Sequence, residues 1–521
     1  MTFLQEWHNQ HPLLRSRMLL LLIGALGAAA TIGLMAARQP MLAIGAEVAV
    51  LLVLAILAWP NVSTLVVIFI LYTNAAVVAV RFHGVPVFFG ASVPALLIIP
   101  LASYLIFRRQ RLIIDSVLPL IFLFLIIQVI GTLFSEYIGT ATGALTTFAM
   151  EGFGLYFLIT NVVRTPQMLR RAVWTLLLAG SLLGFLSLYQ QITHTYNNTY
   201  WGFAQMSNAA FSTGSETIQG EVLQRRLAGP LGDQNYYAQI MLMLVPVGLF
   251  RFWTERSKWL RLLALTATVL ISFGVALTFS RGAAVGFILM LVIMTFMRYI
   301  RPYQLVIILL GTLLLLQAVP EYGTRLTSLE RLLGITNQDS AGIAEADAST
   351  QSRTTEMLTA GLVFIDHPVI GVGPGVFKYY YPAYAELIGL KVHTVARAAH
   401  NLYLEMAAET GAPGLLCFLL IVFMALRNLA QARKHTPELS NMATGFMLAI
   451  VSFLMTGMFL SLAYERYFWL MLALAGATSY LARTQPAPEH ELAGTSAESS
   501  SPAALRTLDP APRDLKGRSV I

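Results

Sequence analysis

Along most of the chain apolar residues come in unbroken runs, each about long enough to cross ~30 Å of hydrocarbon as a helix. About fourteen such runs recur, at 17–37, 41–59, 62–80, 92–107, 117–134, 142–163, 171–192, 235–253, 259–279, 283–297, 303–319, 412–427, 443–463 and 467–482. Unbroken runs of this length predict helices, and the alternating pattern of a membrane β-barrel is missing. The expected fold is an all-α polytopic membrane protein of about 14 transmembrane helices (12 to 14) with a large, partly helical loop outside the membrane. Pro94 and Pro100 inside the fourth run predict a kink. The first run, Met18 to Ala37, is long enough to stay as a span, so no cleavable signal peptide is expected.

Polar positions divide the chain. Residues 1–16 form a short N-terminus, and 17–319 carry helices 1–11 with a polar loop at about 193–234. Residues 320–400 form the longest polar segment, and 401–482 carry helices 12–14. The tail 483–521 is rich in Pro, Ala, Ser and Glu, a composition that predicts disorder. Loops as long as 193–234 and 320–400 usually carry function in a compact protein. Within the second, 354–365 predicts an amphipathic helix with Met357, Leu358, Gly361 and Leu362 on its apolar face. Gly371 to Gly375 is a turn cluster, and the aromatic stretch Lys378 to Tyr384 suits either a membrane interface or a sugar face.

Loop charge sets the expected orientation. With the N-terminus inside, cytoplasmic loops hold Arg108, Arg109 and Arg111; Arg164, Arg170 and Arg171; Arg251, Arg256, Lys258 and Arg261; Arg298 and Arg301; and Arg427, Arg433 and Lys434. Short outside loops hold about one arginine each, at Arg38, Arg81, Arg281 and Arg466. This is a positive-inside pattern, with both termini inside and the long loops outside. The formal charge of +8 therefore speaks of topology rather than of nucleic acid. The chain is 57% hydrophobic and 12% charged, about half the charge of a soluble domain. A single cysteine, Cys417, excludes an intrachain disulfide and a cysteine metal site. Nine histidines show no metal spacing, and Glu345-Ala-Asp347 is a lone acid pair.

The densest polar chemistry runs from Arg397 through His400, Asn401 and Glu405 to Glu409, where a membrane helix begins. Polar groups at a membrane edge are costly, so a cluster there marks function. An imidazole near neutral pKa can take a proton from a hydroxyl; the plainer alternative is a structural hydrogen bond at a helix start. Glu405 and Glu409 lie one turn apart on a stripe with Asn401, well round the helix from His400. Their expected work is to hold backbone or an arginine. Arg281 stands in a tight turn between two apolar runs, the second of them short for a span. Its fork suits a pyrophosphate, and equally a lipid phosphate reached by snorkelling. Arg225 and Arg226 precede a Gly-Pro turn and Asn235; a solvated pair is the plain alternative. Arg353 and Arg397 add cations on the same side. Glu151 inside an apolar run calls for a cation from another helix, and Glu465-Arg466 suggests an interface pair.

Four stretches together resemble the O-antigen ligase and polymerase superfamily: His400-Asn401 through Glu405 and Glu409 to Gly411, Asp366 to Phe377, Leu277 to Ala283, and Gly232 to Asn235. The resemblance runs over roughly 140–480. It implies a metal-independent, inverting glycosyltransferase of GT-C type, without cofactor, that takes an undecaprenyl-pyrophosphate-linked glycan as donor on the periplasmic face. The acceptor is a glycan or a lipid A-core type hydroxyl. By this resemblance His400 matches the general base, Arg281 an arginine at the pyrophosphate, and Arg225 or Arg226 a second arginine. Arg397, Arg353, Asn401, Glu405, Glu409 and Asn235 are supporting residues. The helix count departs from the roughly twelve of the ligases toward the polymerases, so both remain open. A flippase or other transporter is a third reading; it calls for a repeat that the sequence does not show.

Overall fold

The computed structural model describes residues 59–206, 226–318, 340–388, 397–460 and 466–484. The runs at 17–37 and 41–59, Arg225, Glu345 and Asp347 as side chains, Glu465 and nearly all of the tail 483–521 lie outside the described residues, so nothing here bears on those expectations.

Fifteen helices carry the described chain: α1 (Pro60–Tyr72), α2 (Ala75–His83), α3 (Val93–Phe107), α4 (Leu118–Leu133), α5 (Ile138–Val162), α6 (Pro166–Thr193), α7 (Gln234–Thr254), α8 (Lys258–Ala276), α9 (Arg281–Phe296), α10 (Pro302–Ala318), α11 (Ser340–Asp366), α12 (Phe377–Leu387), α13 (Leu402–Ala432), α14 (Pro437–Thr456) and α15 (Arg466–Thr484). Every expected run within the described residues is helical. Among those residues α5, α6, α7, α8, α13 and the stretch Pro437–Phe459 are long and apolar enough to cross a membrane. The α1–α2 pair makes a seventh if counted as one span, while α3, α4, α9 and the start of α10 are apolar but shorter. By length and composition, six or seven candidate spans thus lie among the described residues, and two of the fourteen expected runs lie outside them.

Local chemistry sets the breaks. The expected continuous run at 62–80 is instead bent by 59° between α1 and α2. The reason lies in Asn74, whose backbone is left-handed (φ 60°) and whose Nδ2 donates to Pro230 O at 3.0 Å. α3 changes type along its length, from a 3-10 turn holding Pro94 to an α turn holding Pro100 and then a π turn. In α13, Gly411 takes φ 67° and ψ −175°, a break inside an otherwise continuous 31-residue helix. A Cβ there would lie 2.6 Å from the Val369 backbone, so only glycine fits.

Two helices form the centre. α7 packs against α6, α8, α9 and α14, and most of its length is buried. α15 is buried from Tyr467 to Ser479 and packs on α5, α13 and α14. Around them the outward faces carry large exposed apolar residues such as Phe122, Phe185, Leu262 and Phe423, the surface that lipid would cover. A second, small core joins α11 and α12 to the tops of α5 and α13 through Ala141, Ala360, Val363, Phe377, Tyr381 and Ala408.

The expected basic loops gather at one end of the bundle. Arg164 Nη1 donates to Arg111 O at 2.9 Å, Arg170 pairs with Glu255 at 2.7 Å, and Arg433 Nη2 donates to Tyr299 Oη at 3.3 Å. Arg251 pairs with Glu255 and, at 3.4 Å, with Glu438. α7 runs from this end to the other, where its first residues meet the turn before α9. Its 21 residues separate the two ends by ~30 Å.

Candidate active site

Three helices begin at the end remote from the basic loops, each with a polar cap. Asp233 caps α7, its side chain accepting from Asn235 N and Tyr236 N. Ser280 caps α9 by accepting from Ala283 N. Asn401 caps α13 by accepting from Tyr403 N and Leu404 N, both at 3.0 Å. Such caps satisfy amides left open at a helix start and fix where the next side chain points. In α9 and α13 the residue before the cap is left-handed: Phe279 at φ 53° and His400 at φ 48°. For residues other than glycine this conformation is strained, and such strain concentrates at functional sites.

The turn before α9 is tied to the start of α7. Arg226 Nε donates to Thr278 O at 3.0 Å, and its Nη2 reaches Asn235 Oδ1 at 3.3 Å and Phe279 O at 3.4 Å. Ser280 Oγ donates to the same Asn235 oxygen at 2.9 Å. Arg226 and Asn235 therefore build the turn that carries Arg281, whose own side chain is exposed as the first residue of α9.

α11 brings the carboxylate that faces His400. Glu356 is 1% exposed. Its Oε1 accepts from Arg397 Nη1 at 3.0 Å, and its Oε2 lies 3.8 Å from His400 Nε2. The buried face of α11 is Thr355, Glu356, Thr359, Ala360 and Val363, whereas Leu358 is exposed. This corrects the expected apolar face of Met357, Leu358, Gly361 and Leu362: the surface under α11 includes the polar Arg397 and His400, so apolar periodicity mislocates the inner stripe.

Charge converges here. Burial lowers the His400 pKa from its ordinary value; Glu356 and Asp233 oppose that shift, and Arg353 and Arg397 add to it. Burial also lowers the Arg353 pKa, followed by the nearby Arg281 guanidinium, against Glu356 and Asp233. Thus His400, Arg397, Glu356, Arg353, Arg281 and Asp233 share one electrostatic neighbourhood, drawn from segments far apart in sequence. Among the described residues no three His, Cys, Asp or Glu side chains group as a metal site.

Glu405 and Glu409 turn to backbone, not to His400. Glu405 Oε2 accepts from Ala399 N at 3.0 Å, which fixes the segment entering His400. Glu409, 2% exposed, accepts from Gly375 N at 2.8 Å and Phe377 N at 3.2 Å. With Val372 N donating to Ala408 O and Gly373 N to Glu409 O, the glycine-rich turn is seated on the break in α13. The aromatic stretch forms α12. Tyr381 is buried, while Tyr379 stacks on Tyr137 with ring centroids 4.5 Å apart. Tyr384 donates to Asp366 at 2.7 Å, and partial burial with that carboxylate pushes its hydroxyl up to about 12. Glu151 does find its cation: Arg466 Nη1 lies 3.0 Å away, and its other arm meets Asn74.

Glu356 is the site residue that sequence reading missed as a partner of His400. It lies 44 positions earlier, and no spacing rule connects a loop acid to a histidine over that distance.

In a comparison with known families, residues 266–419 match the family model described as O-antigen ligase. No curated protein compared with the chain matches it. The matched stretch holds Arg281, Arg353, Glu356, Arg397, His400, Glu405 and Glu409, while Arg226 and Asn235 precede it. Residues 266–419 thus carry a domain of the O-antigen ligase family, which supports assignment to the O-antigen ligase and polymerase superfamily.

Proposed function

We propose that this protein transfers an undecaprenyl-pyrophosphate-linked glycan to an acceptor hydroxyl, with inversion and without a metal ion, as an O-antigen ligase does. Enzymes of the superfamily act on lipid-linked glycans. The observation that carries the proposal is the meeting of an imidazole with guanidiniums at one end of the bundle, His400 within the field of Arg353 and Arg397, and Arg353 within that of Arg281. The acceptor O–H gives its proton to His400, and its oxygen forms a bond to the anomeric carbon. The bond from that carbon to the pyrophosphate breaks, and the electron pair leaves with the pyrophosphate. Arg281 and Arg353 stabilise the charge that gathers there. Because the leaving group is good, holding donor and acceptor in line supplies much of the acceleration.

The site lies on the periplasmic face in this reading, supported by the gathering of basic loops at the far end. The lowered pKa of His400 has a consequence. The imidazole is the base only when neutral, so transfer falls as pH drops through that pKa, with a midpoint below the ordinary ~6.5. The test uses purified protein, synthetic lipid-linked donor and candidate acceptors, scored for released undecaprenyl pyrophosphate. We expect His400→Ala to abolish release and Arg281→Lys to impair it severely, because a point charge does not replace the guanidinium fork. Wild-type turnover in His400→Ala overturns the assignment. The polymerase reading shares this chemistry. It is distinguished in cells, where loss of the gene leaves single repeat units on the carrier for a polymerase and none for a ligase.

A further inference from the structure

We infer that Glu356 is the positioning residue of His400: its carboxylate orients the imidazole and stabilises the imidazolium formed when the acceptor is deprotonated. The inference rests on the proposed transfer reaction. Its basis is geometric. Glu356 is 1% exposed, on the inner face of α11, and a buried carboxylate is retained only where it is paired. One oxygen is held by Arg397 Nη1 at 3.0 Å, which fixes the plane of the carboxylate. The other stands 3.8 Å from His400 Nε2. That is longer than a hydrogen bond, and catalytic contacts of this kind shorten once substrate is bound and charge appears on the ring. Glu405 and Glu409, the acids nearest in sequence, are committed to Ala399 N and to Gly375 N and Phe377 N. The His400 Nδ1 atom is buried and makes no hydrogen bond among the described residues, so the Glu356 side is where the ring meets a carboxylate oxygen.

The electrostatic surroundings make the carboxylate matter. His400 is faced by Glu356 and Arg353 from α11, by Asp233 from the start of α7 and by Arg397 from its own segment. Two guanidiniums oppose protonation of the ring, and of the two carboxylates Glu356 exerts the larger effect. Arg397 serves both sides of this balance, since it holds Glu356 in place while repelling an imidazolium. Without Glu356, a proton arriving on His400 would meet two cations and one remaining carboxylate.

The experiment compares Glu356→Gln and Glu356→Asp with wild type in full-length protein, by pH–rate profile and by kcat against donor KM. In Glu356→Gln we expect kcat to fall roughly 10- to 100-fold, part of the ~10²–10⁴ that a general base supplies. Donor KM should stay near wild type, and the acid limb of the profile should move to lower pH. Glu356→Asp keeps the charge and should restore part of kcat and the wild-type limb. A purely structural role would lower the yield of folded protein, or activity at every pH alike, without moving the limb, and that result overturns the inference. So does a Glu356→Gln enzyme within twofold of wild type. If Glu356→Gln does not fold, Arg397→Lys decides: without the fork that holds the carboxylate, kcat falls and the acid limb moves, and an unmoved limb overturns the inference. His400→Ala separates the two claims: if it retains transfer, the reaction assigned to the site fails; if it is inactive while Glu356→Gln is normal, only the role of Glu356 fails.

Discussion

At the scale of single residues, His400 is held in a backbone conformation that suits it poorly. Its φ of 48° is left-handed, and the neighbouring cap, Asn401, is locked by two backbone amides and by its own donation to Met458 O at 3.2 Å. For a residue other than glycine such a conformation costs about 1 kcal/mol. Glycine escapes that cost, so His400→Gly should be about 1 kcal/mol more stable than His400→Ala in thermal or denaturant unfolding. Both should be inactive in transfer. Stability and activity then separate at one position, as expected where strain serves a site. The polar cluster around His400, at the end of a long loop, was legible in the sequence. Its partner was not, because Glu356 reaches it only through the packing of α11 on α13. For Arg226, sequence pointed to the right neighbourhood, but the structure gives its guanidinium to Thr278, Phe279 and Asn235.

At the scale of elements, the glycine-rich turn and the break in α13 are one joint. Gly371 approaches the Glu409 backbone so closely that a Cβ would lie 2.3 Å from it. Ala412 N donates to Pro368 O at 2.7 Å, and Glu409 holds the first amides of the following segment. Glu409→Gln leaves one of those amides without its acceptor. We expect a loss of about 1.5–3 kcal/mol, the range for hydrogen bonds to a charged group, read from unfolding of the purified protein. Sequence places at 411 a glycine, the residue that tolerates those angles. It did not show what the break receives. The path of α11 was misread for a related reason: Leu358 and Met357 mark an apolar face, but the face turned inward carries Glu356 and two threonines.

At the scale of the whole molecule, the bundle has two polar ends about 30 Å apart, and they are built differently. The end with the basic loops is locked. Glu255 takes Arg251 and Arg170 together and accepts from Trp174 Nε1 at 3.2 Å, with both Arg251 and Glu255 2% exposed. Removing one member of such a buried pair strands the other, at a cost of about 3 kcal/mol or more. Glu255→Gln should therefore unfold at markedly lower temperature in detergent while leaving donor KM unchanged. The apolar runs made the helices of this bundle legible, since a helix in hydrocarbon must be apolar over its length. The bend at Asn74 escaped because its cause, a bond to Pro230, lies 156 residues away. The other end is open to chemistry, and three helices start there. Two of them, α9 and α13, are capped by the neutral side chains of Ser280 and Asn401, so their amide dipoles add positive potential beside the arginines. Neither dipoles nor guanidiniums lose charge between pH 5 and 8, whereas an imidazole changes state in or near that range. Mild acid should thus leave a diphosphate-bearing lipid docked on an enzyme that no longer turns it over, a stalled complex ready to be trapped for structural study.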